Sequence, residues 1–356
     1  MNTRAKQTST AIQSQRDALA EAMVARQYQL QPEFWHRFGD TGRAKSVRDA
    51  GYHLTYLSEA LAADDPTLFV EYVLWAKTLF AGLKFPDDVL PQSLECMREV
   101  FTTMLPEEVR AVADEYVQAA LDALARGSPQ STSFIQTDTP LGALARNYLD
   151  ALLRGERATA SQLILDTVER GASVKDIYLH VFQPVQHEIG RLWQTNQISV
   201  AQEHYCTAAT QVIMSQLYPR IFSGNKIGRR LVVTCVSGEL HEIGARMVAD
   251  FFEMEGWDTY FLGANTPTDA ILRTLDERGA DMLAISATMT FHIHHVAELI
   301  ERVRTAALPK PPKLLVGGYP FNLSPNLWRA VKADGYARNA QQAIQVAQSI
   351  LQVGVH

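Results

Sequence analysis

Cysteine is scarce. The chain of 356 residues has three, Cys96, Cys206 and Cys235, widely spaced and odd in number. That excludes a disulfide framework and suits a reducing cytoplasm. Long apolar runs are missing too. No stretch of about 18 apolar residues offers a membrane span, and the opening MNTRAKQTSTAIQSQRDALAEAM lacks the apolar core of an export signal. Neither membrane insertion nor export is expected, and the cytoplasm is the expected location. Basic residues are outnumbered, 33 Lys and Arg against 39 Asp and Glu, for a net charge of −6, and they do not cluster. That speaks against direct nucleic-acid binding. The rest is ordinary for a globular chain, 47% apolar and 20% charged, with length for roughly two or three domains.

What is present changes character along the chain. Residues 1–127 show only helical periodicity, with segments expected at Ala11 to Arg26, Lys45 to Ala62, Pro66 to Gly82, Pro86 to Met104 and Glu107 to Ala125. Breaks are expected at Gly39–Gly42, Asp64–Pro66, Phe85–Pro86 and Leu105–Pro106. Aromatic residues and two histidines, His36 and His53, crowd this region. Residues 128–140 are rich in Gly, Ser, Pro and Thr and read as a linker. Residues 141–224 return to a helical pattern divided near Gly155, Gly171 and Asn196, and short connections predict a four-helix bundle. From residue 228 to 356, short β-branched runs alternate with helical stretches. Strands are expected at Leu231–Val236, Thr259–Leu262, Met282–Ile285, Lys313–Val316 and near Gly335–Ala337, with helices starting near Glu242, Pro267, Phe291, Pro325 and Asn339. The expected class is α/β: a helical N-terminal domain, a helical bundle and a five-strand, doubly wound parallel sheet of the flavodoxin-like kind.

The stretch that organises this last domain is GELHEIG, Gly238 to Gly244. It lies between the first strand and an amphipathic helix, so His241 sits at the carboxyl end of a strand, where open α/β sheets bind ligands. Glu239, two residues earlier, can hold one imidazole N–H, fix the tautomer and raise the basicity of the other nitrogen, as beside a metal-ligating histidine. Forty-one residues separate Gly244 from Ser286 in the SAT stretch, and twenty-eight separate Thr288 from Gly317-Gly318.

With these three motifs the chain resembles the cobalamin-binding domain family, whose pattern is D-x-H-x-x-G, then S-x-L or S-x-T, then G-G. The resemblance implies His241 as lower axial ligand to cobalt, Glu239 as its orienting carboxylate, and Gly244, Ser286, Thr288, Gly317 and Gly318 along the groove for the nucleotide tail. Glu239 stands where the family has Asp. The bundle before this domain resembles the cap that covers the upper face of the corrin. Within it, Trp193 is followed after nine residues by Glu203-His204. W-x9-E-H resembles the CarH-type adenosylcobalamin photoreceptors, in which the E-x-H-x-x-G variant also occurs.

That resemblance implies a light sensor. Adenosylcobalamin would lie under Trp193 and Glu203, and photolysis of its Co–C bond would let His204 take the upper axial position. The protein would be a homo-oligomer whose light-dependent assembly signals to an unidentified protein effector. It would have no catalytic residues and would not be an enzyme. The alternative is a corrinoid methyl carrier of a methyltransferase system, against which stands the obstruction that Trp193 and His204 would offer at the upper face. The helical extension is similar in layout to the photocobilin sub-family, which implies biliverdin as a second chromophore. Its pocket would be lined by Arg48, Tyr52, His53, Tyr56 and Trp75, with Arg48 on a propionate; the alternative is an interaction domain with a filled core. FHIHH, carrying His292, His294 and His295, reads as a polar loop near the corrin, and His187 as a structural residue of the bundle.

Overall fold

A computed structural model describes residues 3–127, 132–136, 138–222 and 225–352. The chain divides into two compact units, one built on the N-terminal helices and the other on the bundle and the sheet.

The N-terminal unit contains α1 (Thr3–Ser14), α2 (Arg16–Leu30), α3 (Pro32–His36), α4 (Gly39–Ala63), α5 (Thr67–Gly82), α6 (Val89–Met104) and α7 (Glu107–Arg126). Several boundaries differ from expectation: helix begins already at Thr3, α3 was not expected, and α6 starts at Val89 rather than Pro86. The run Ala11 to Arg26 is split at Gln15, which leaves helical geometry at φ −116° and ψ 11°. Gly39–Gly42 is not a break but the first turn of α4, entered through Gly39 at φ +60°. Glycine supplies that left-handed entry without the clash a Cβ would bring. At the other end Asp64, also left-handed, donates its N–H to Ala60 and Leu61 and stops α4 two residues before Pro66. Leu54, Leu57, Leu61, Phe69, Val73, Met97 and Phe101 are buried between these helices.

The bundle comprises α8 (Pro140–Leu153), α9 (Arg157–Glu169), α10 (Val174–Ile177), α11 (Gln183–Gln194), α12 (Val200–Gln216) and α13 (Tyr218–Ile221). A π-turn, Tyr178–Phe182, joins α10 to α11. Periodicity did not reveal it, although Pro184 supplies a reason: it has no N–H to give to the carbonyl four residues back. A capping box opens α12, with Gln202 N–H on Ser199 Oγ at 3.2 Å and Ser199 N–H on Gln202 Oε1 at 3.0 Å. Part of the segment read as a linker is packed. Ile135 is buried in the bundle core, and Phe134 N–H donates to buried Glu188 Oε2 at 3.0 Å.

The sheet has strands β1 (Arg230–Cys235), β2 (Asp258–Phe261), β3 (Met282–Ser286), β4 (Lys313–Gly317) and β5 (Gly335–Ala337). All pairs are parallel and the order is β2-β1-β3-β4-β5. Strand order reverses at β1, which places α14 (Ile243–Met254) and the last helix, Ala340–Gln352, on one face and α15 (Thr268–Arg278) and α16 (Ile293–Thr305) on the other. The helix expected near Pro325 is a single turn, Leu327–Ala330. In register, Cys235, Ser286, Gly317 and Ala337 lie side by side across four strands. That row is the carboxyl edge, and every sheet motif singled out in the sequence leaves from it.

Candidate functional site

Glu239 is the centre of the edge. Its side chain is 0% exposed, a costly place for a carboxylate unless every lone pair is engaged. Here they are. Oε1 accepts from His241 Nδ1 at 2.6 Å and from the His241 backbone N–H at 3.0 Å. Oε2 accepts from the Thr288 and Met289 backbone N–H groups at 2.7 and 3.1 Å and from His292 Nδ1 at 3.0 Å. Burial alone would push the Glu239 carboxyl up, but the hydrogen bonds from His241 and His292 outweigh it and hold the group well below the usual carboxylate range. In turn, the bond to Glu239 raises the His241 imidazolium above its ordinary value, with a smaller contribution from the charge of Glu203 on the bundle.

An ionised carboxylate only accepts, so His241 presents Nδ1–H to Glu239 and leaves Nε2 free. The ring is 59% exposed, so that nitrogen reaches solvent from a fixed base. Leu240, 72% exposed, stands beside it. The rest of the edge is made of small groups. Ser286 is half-buried at the end of β3, Gly317 ends β4 and Gly318 follows it, both without side chains. Gly318, at φ +109°, lies so close to the loop after β3 that a Cβ on it would be 1.9 Å from the Ala287 carbonyl oxygen. Gly244 is exposed in the first turn of α14. An imidazole with one free nitrogen beside an edge of glycines and small hydroxyl side chains fits a metal-centred macrocycle carrying a long polar tail.

The bundle contributes a second group. Glu203 and His204, at the start of α12, are hydrogen-bonded to each other through Glu203 Oε2 and His204 Nδ1, and Thr207 Oγ1 donates to Glu203 Oε1 at 3.1 Å. The His204 ring is 75% exposed. Trp193, near the end of α11, is half-buried against the bundle core. Bundle and sheet meet through charged bridges. Gln211 Nε2 donates to Glu242 Oε1 at 2.6 Å while Glu242 Oε2 accepts the Ala264 N–H at 2.9 Å. Tyr178 OH donates to Asp250 Oδ2 at 2.8 Å. Glu242, expected only as a helix start, is thus the residue of GELHEIG that meets the bundle.

His292 is a correction. FHIHH is not a polar loop: Thr290–His292 forms a 3₁₀ turn, and His292 is buried on Glu239. The signal was three histidines at a helix start, and nothing in their spacing said which one turned inward. His187 is exposed, edge-on to Phe134 at 5.4 Å.

In the N-terminal unit, His53 and Tyr56 are buried, and Tyr56 stacks on Tyr72 at 3.6 Å and 12°. Tyr72 OH bonds His53 Nδ1 at 2.8 Å, and the Tyr72 and Trp75 ring centroids are 6.4 Å apart. Tyr72, one of the aromatics crowding this region but not placed in the expected pocket lining, joins His53, Tyr56 and Trp75. Tyr52 and Trp75 reach the surface, and Arg48 is 64% exposed beside Asp49.

Comparison with known proteins places these features. Models described as B12 binding domain match residues 229–345 and, separately, residues 144–218. A phycobilisome protein model matches residues 2–124. The dimethylamine corrinoid protein of Methanosarcina barkeri is 29% identical over 168 residues, which are 47% of this chain and 76% of that protein. A corrinoid protein of Desulfitobacterium hafniense (strain Y51) is 28% identical over 193 residues, 53% of this chain and 83% of that protein. The solved monomethylamine corrinoid protein of M. barkeri covers 59% of this chain and 98% of its own, with a TM-score of 0.51 and 21% identity, a likeness of fold. The chain carries a B12-binding domain preceded by its helical cap, and a cobalamin-type corrinoid is the supported cofactor. The expectation of a light sensor is corrected. The relatives described above are corrinoid proteins, named for dimethylamine or monomethylamine where a substrate is named; light-dependent assembly loses its support with the light sensor. Among the described residues no helix is long and apolar enough to cross a membrane.

Proposed function

We propose that the chain is a corrinoid methyl carrier, a non-enzymatic component that holds a cobalamin-type corrinoid and presents it to methyltransferase partners in the cytoplasm. The observation that carries this reading is the likeness of bundle and sheet together to the dimethylamine corrinoid protein of M. barkeri. In this proposal His241 would hold the corrinoid's metal through Nε2, with Glu239 on its other nitrogen. Ser286, Thr288, Gly317, Gly318 and Gly244 line the path of the tail. When bound, the corrinoid supplies a metal centre that accepts and gives up a methyl group. The chain's part is to hold, orient and shield.

The test uses the full chain loaded with hydroxocobalamin and reduced. Methyl iodide is offered as donor and a thiolate as acceptor, and iodide and thioether are measured over repeated cycles. Sustained turnover by the wild type, slowed at least tenfold in His241→Ala, is expected. A corrinoid that stays bound but exchanges no methyl group overturns the reading. So does a change of hydrodynamic size between dark and illuminated adenosylcobalamin-loaded protein.

For the N-terminal domain a second reading is favoured by the phycobilisome-protein match: binding of a bilin such as biliverdin at His53, Tyr56 and Trp75, with Tyr52 and Arg48 at the rim. Tyr56 and Tyr72 are closed on each other, so a flat ligand must part or extend that stack. Mixing the full chain with biliverdin should give a red-shifted, narrowed band that Tyr56→Ala abolishes. No band in the wild type leaves the domain as an interaction module.

A further inference from the structure

His241 is one of two histidines on Glu239. The other, His292, comes from the opposite side of the site, six positions after Ser286 in the 3₁₀ turn before α16. Its side chain is 7% exposed and it is packed edge-on against Phe291 at 4.4 Å. The GELHEIG loop is shaped around it. Gly238, at φ +79°, lies so near the ring that a Cβ there would be 3.2 Å from His292 Nε2. The loop is tied down by Asn265, whose Oδ1 accepts the Gly238 N–H at 2.8 Å and whose own N–H donates to the Glu239 carbonyl at 3.1 Å.

We propose that His292 is a positioning residue for His241, acting through Glu239. Its Nδ1–H, with the Thr288 and Met289 N–H groups, occupies Oε2 and sets the plane of the carboxylate. Oε1 is thereby aimed at His241 and left to it alone. A glutamate has one more rotatable bond than the aspartate found in related motifs. Three backbone N–H groups hold its carboxylate, those of Thr288 and Met289 on Oε2 and that of His241 on Oε1. The His292 donor, set in a buried ring, is the side-chain contact that fixes the tilt beside them. Groups that orient a metal-ligating histidine typically change metal affinity about 10–100-fold when lost. The inference rests on the reading of His241 as axial ligand.

The discriminating variants are nearly the same size. His292→Asn keeps an N–H donor near the Nδ1 position and His292→Leu has none, so both lose ring packing alike. Full-length proteins are titrated with hydroxocobalamin, and the bound cofactor, reduced to the cobalt(II) state, is read by EPR with ¹⁵N-labelled histidine. The expected result is a loss of affinity of at least tenfold and a smaller histidine-ligated fraction in His292→Leu, with His292→Asn within threefold of wild type. Leucine matching wild type, or asparagine as weak as leucine, overturns the proposal. His241→Ala separates the two claims. If it loses the nitrogen splitting, the ligand reading stands whatever His292 does; if it keeps the splitting, the ligand reading falls and takes this inference with it. A measurement on the apo wild type stands apart from variant folding: ¹⁵N NMR should find His292 as the Nδ1–H tautomer, and the Nε2–H tautomer overturns the role.

Discussion

Gly318→Ala tests the geometry of the edge without any cofactor. The position has φ +109°, and the added Cβ would lie 1.9 Å from the Ala287 oxygen, 2.7 Å from its carbon and 3.2 Å from its nitrogen. All three are backbone atoms, so no side chain can swing aside. A non-glycine residue forced into left-handed backbone costs about 1–3 kcal/mol, and overpacking a tight contact a further ~1–3 kcal/mol. Relief by moving the loop is also expensive. The Ala287 N–H is bonded to Gly317 O at 3.1 Å, and the next two N–H groups hold Glu239. A loss of about 2–6 kcal/mol corresponds to a fall in melting temperature of roughly 4–24 °C for a unit of this size. Calorimetry of the apo protein measures it. The same variant should bind hydroxocobalamin at least tenfold more weakly, because any shift of residues 287–289 disturbs Glu239. A melting temperature within 2 °C of wild type would show that the two loops do not touch as described.

Two further variants probe the seam between bundle and sheet. Burial raises the Asp250 carboxyl to about 6, against partial relief from the Tyr178 hydroxyl. A raised folded-state value means that stability is present below the unfolded value near 4 and is lost as pH climbs through about 6. Asp250→Asn, which still accepts from Tyr178, should gain about 1–3 kcal/mol at pH 8 and flatten the decline between pH 4 and 6; a denaturant series showing equal pH slopes in both proteins contradicts this. Glu242→Ala removes the acceptor shared by Gln211 and the Ala264 N–H, at a cost of about 1–3 kcal/mol. Hydrogen exchange at Ala264 should quicken at least tenfold, and an unchanged rate would mean that the bridge does not form in solution.

Much of the fold was legible because the signals were local. The strands are β-branched runs with both faces covered, and their alternation with amphipathic helices leaves few topologies. His241 and Glu239 were legible because a short loop at a strand end puts residues two apart on one imidazole. What was not legible depends on distance along the chain. Nothing local marks His292 as the histidine of FHIHH that turns inward; that follows from the loop fifty residues earlier, where Gly238 leaves room for it. Tyr72 stood among the aromatics but outside the expected pocket lining for the same reason, since its partners His53 and Tyr56 lie on the preceding helix. The light-sensing reading failed differently. W-x9-E-H fixes which side chains the bundle carries, but the chemistry of a metal's open face is set by what partner reaches it, and a spacing of side chains does not encode that.

The same edge shows how cap and sheet can act as one. Two consecutive turns of the GELHEIG segment each spend a carboxylate on an opposite neighbour. Glu239 faces across the sheet to the loop after β3, and Glu242 faces the bundle through Gln211 and the loop after β2 through Ala264. His241 lies between them in sequence. Losing Gln211 would leave Glu242 on the Ala264 N–H alone, while Glu239, buried and five times bonded, stayed in place. The bundle is held to the sheet at other points as well, by Tyr178 on Asp250, Lys175 on Glu255 and Arg246 on Ser215 and Tyr218, so the bridge at Glu242 is one tie of several and the one that sits beside His241.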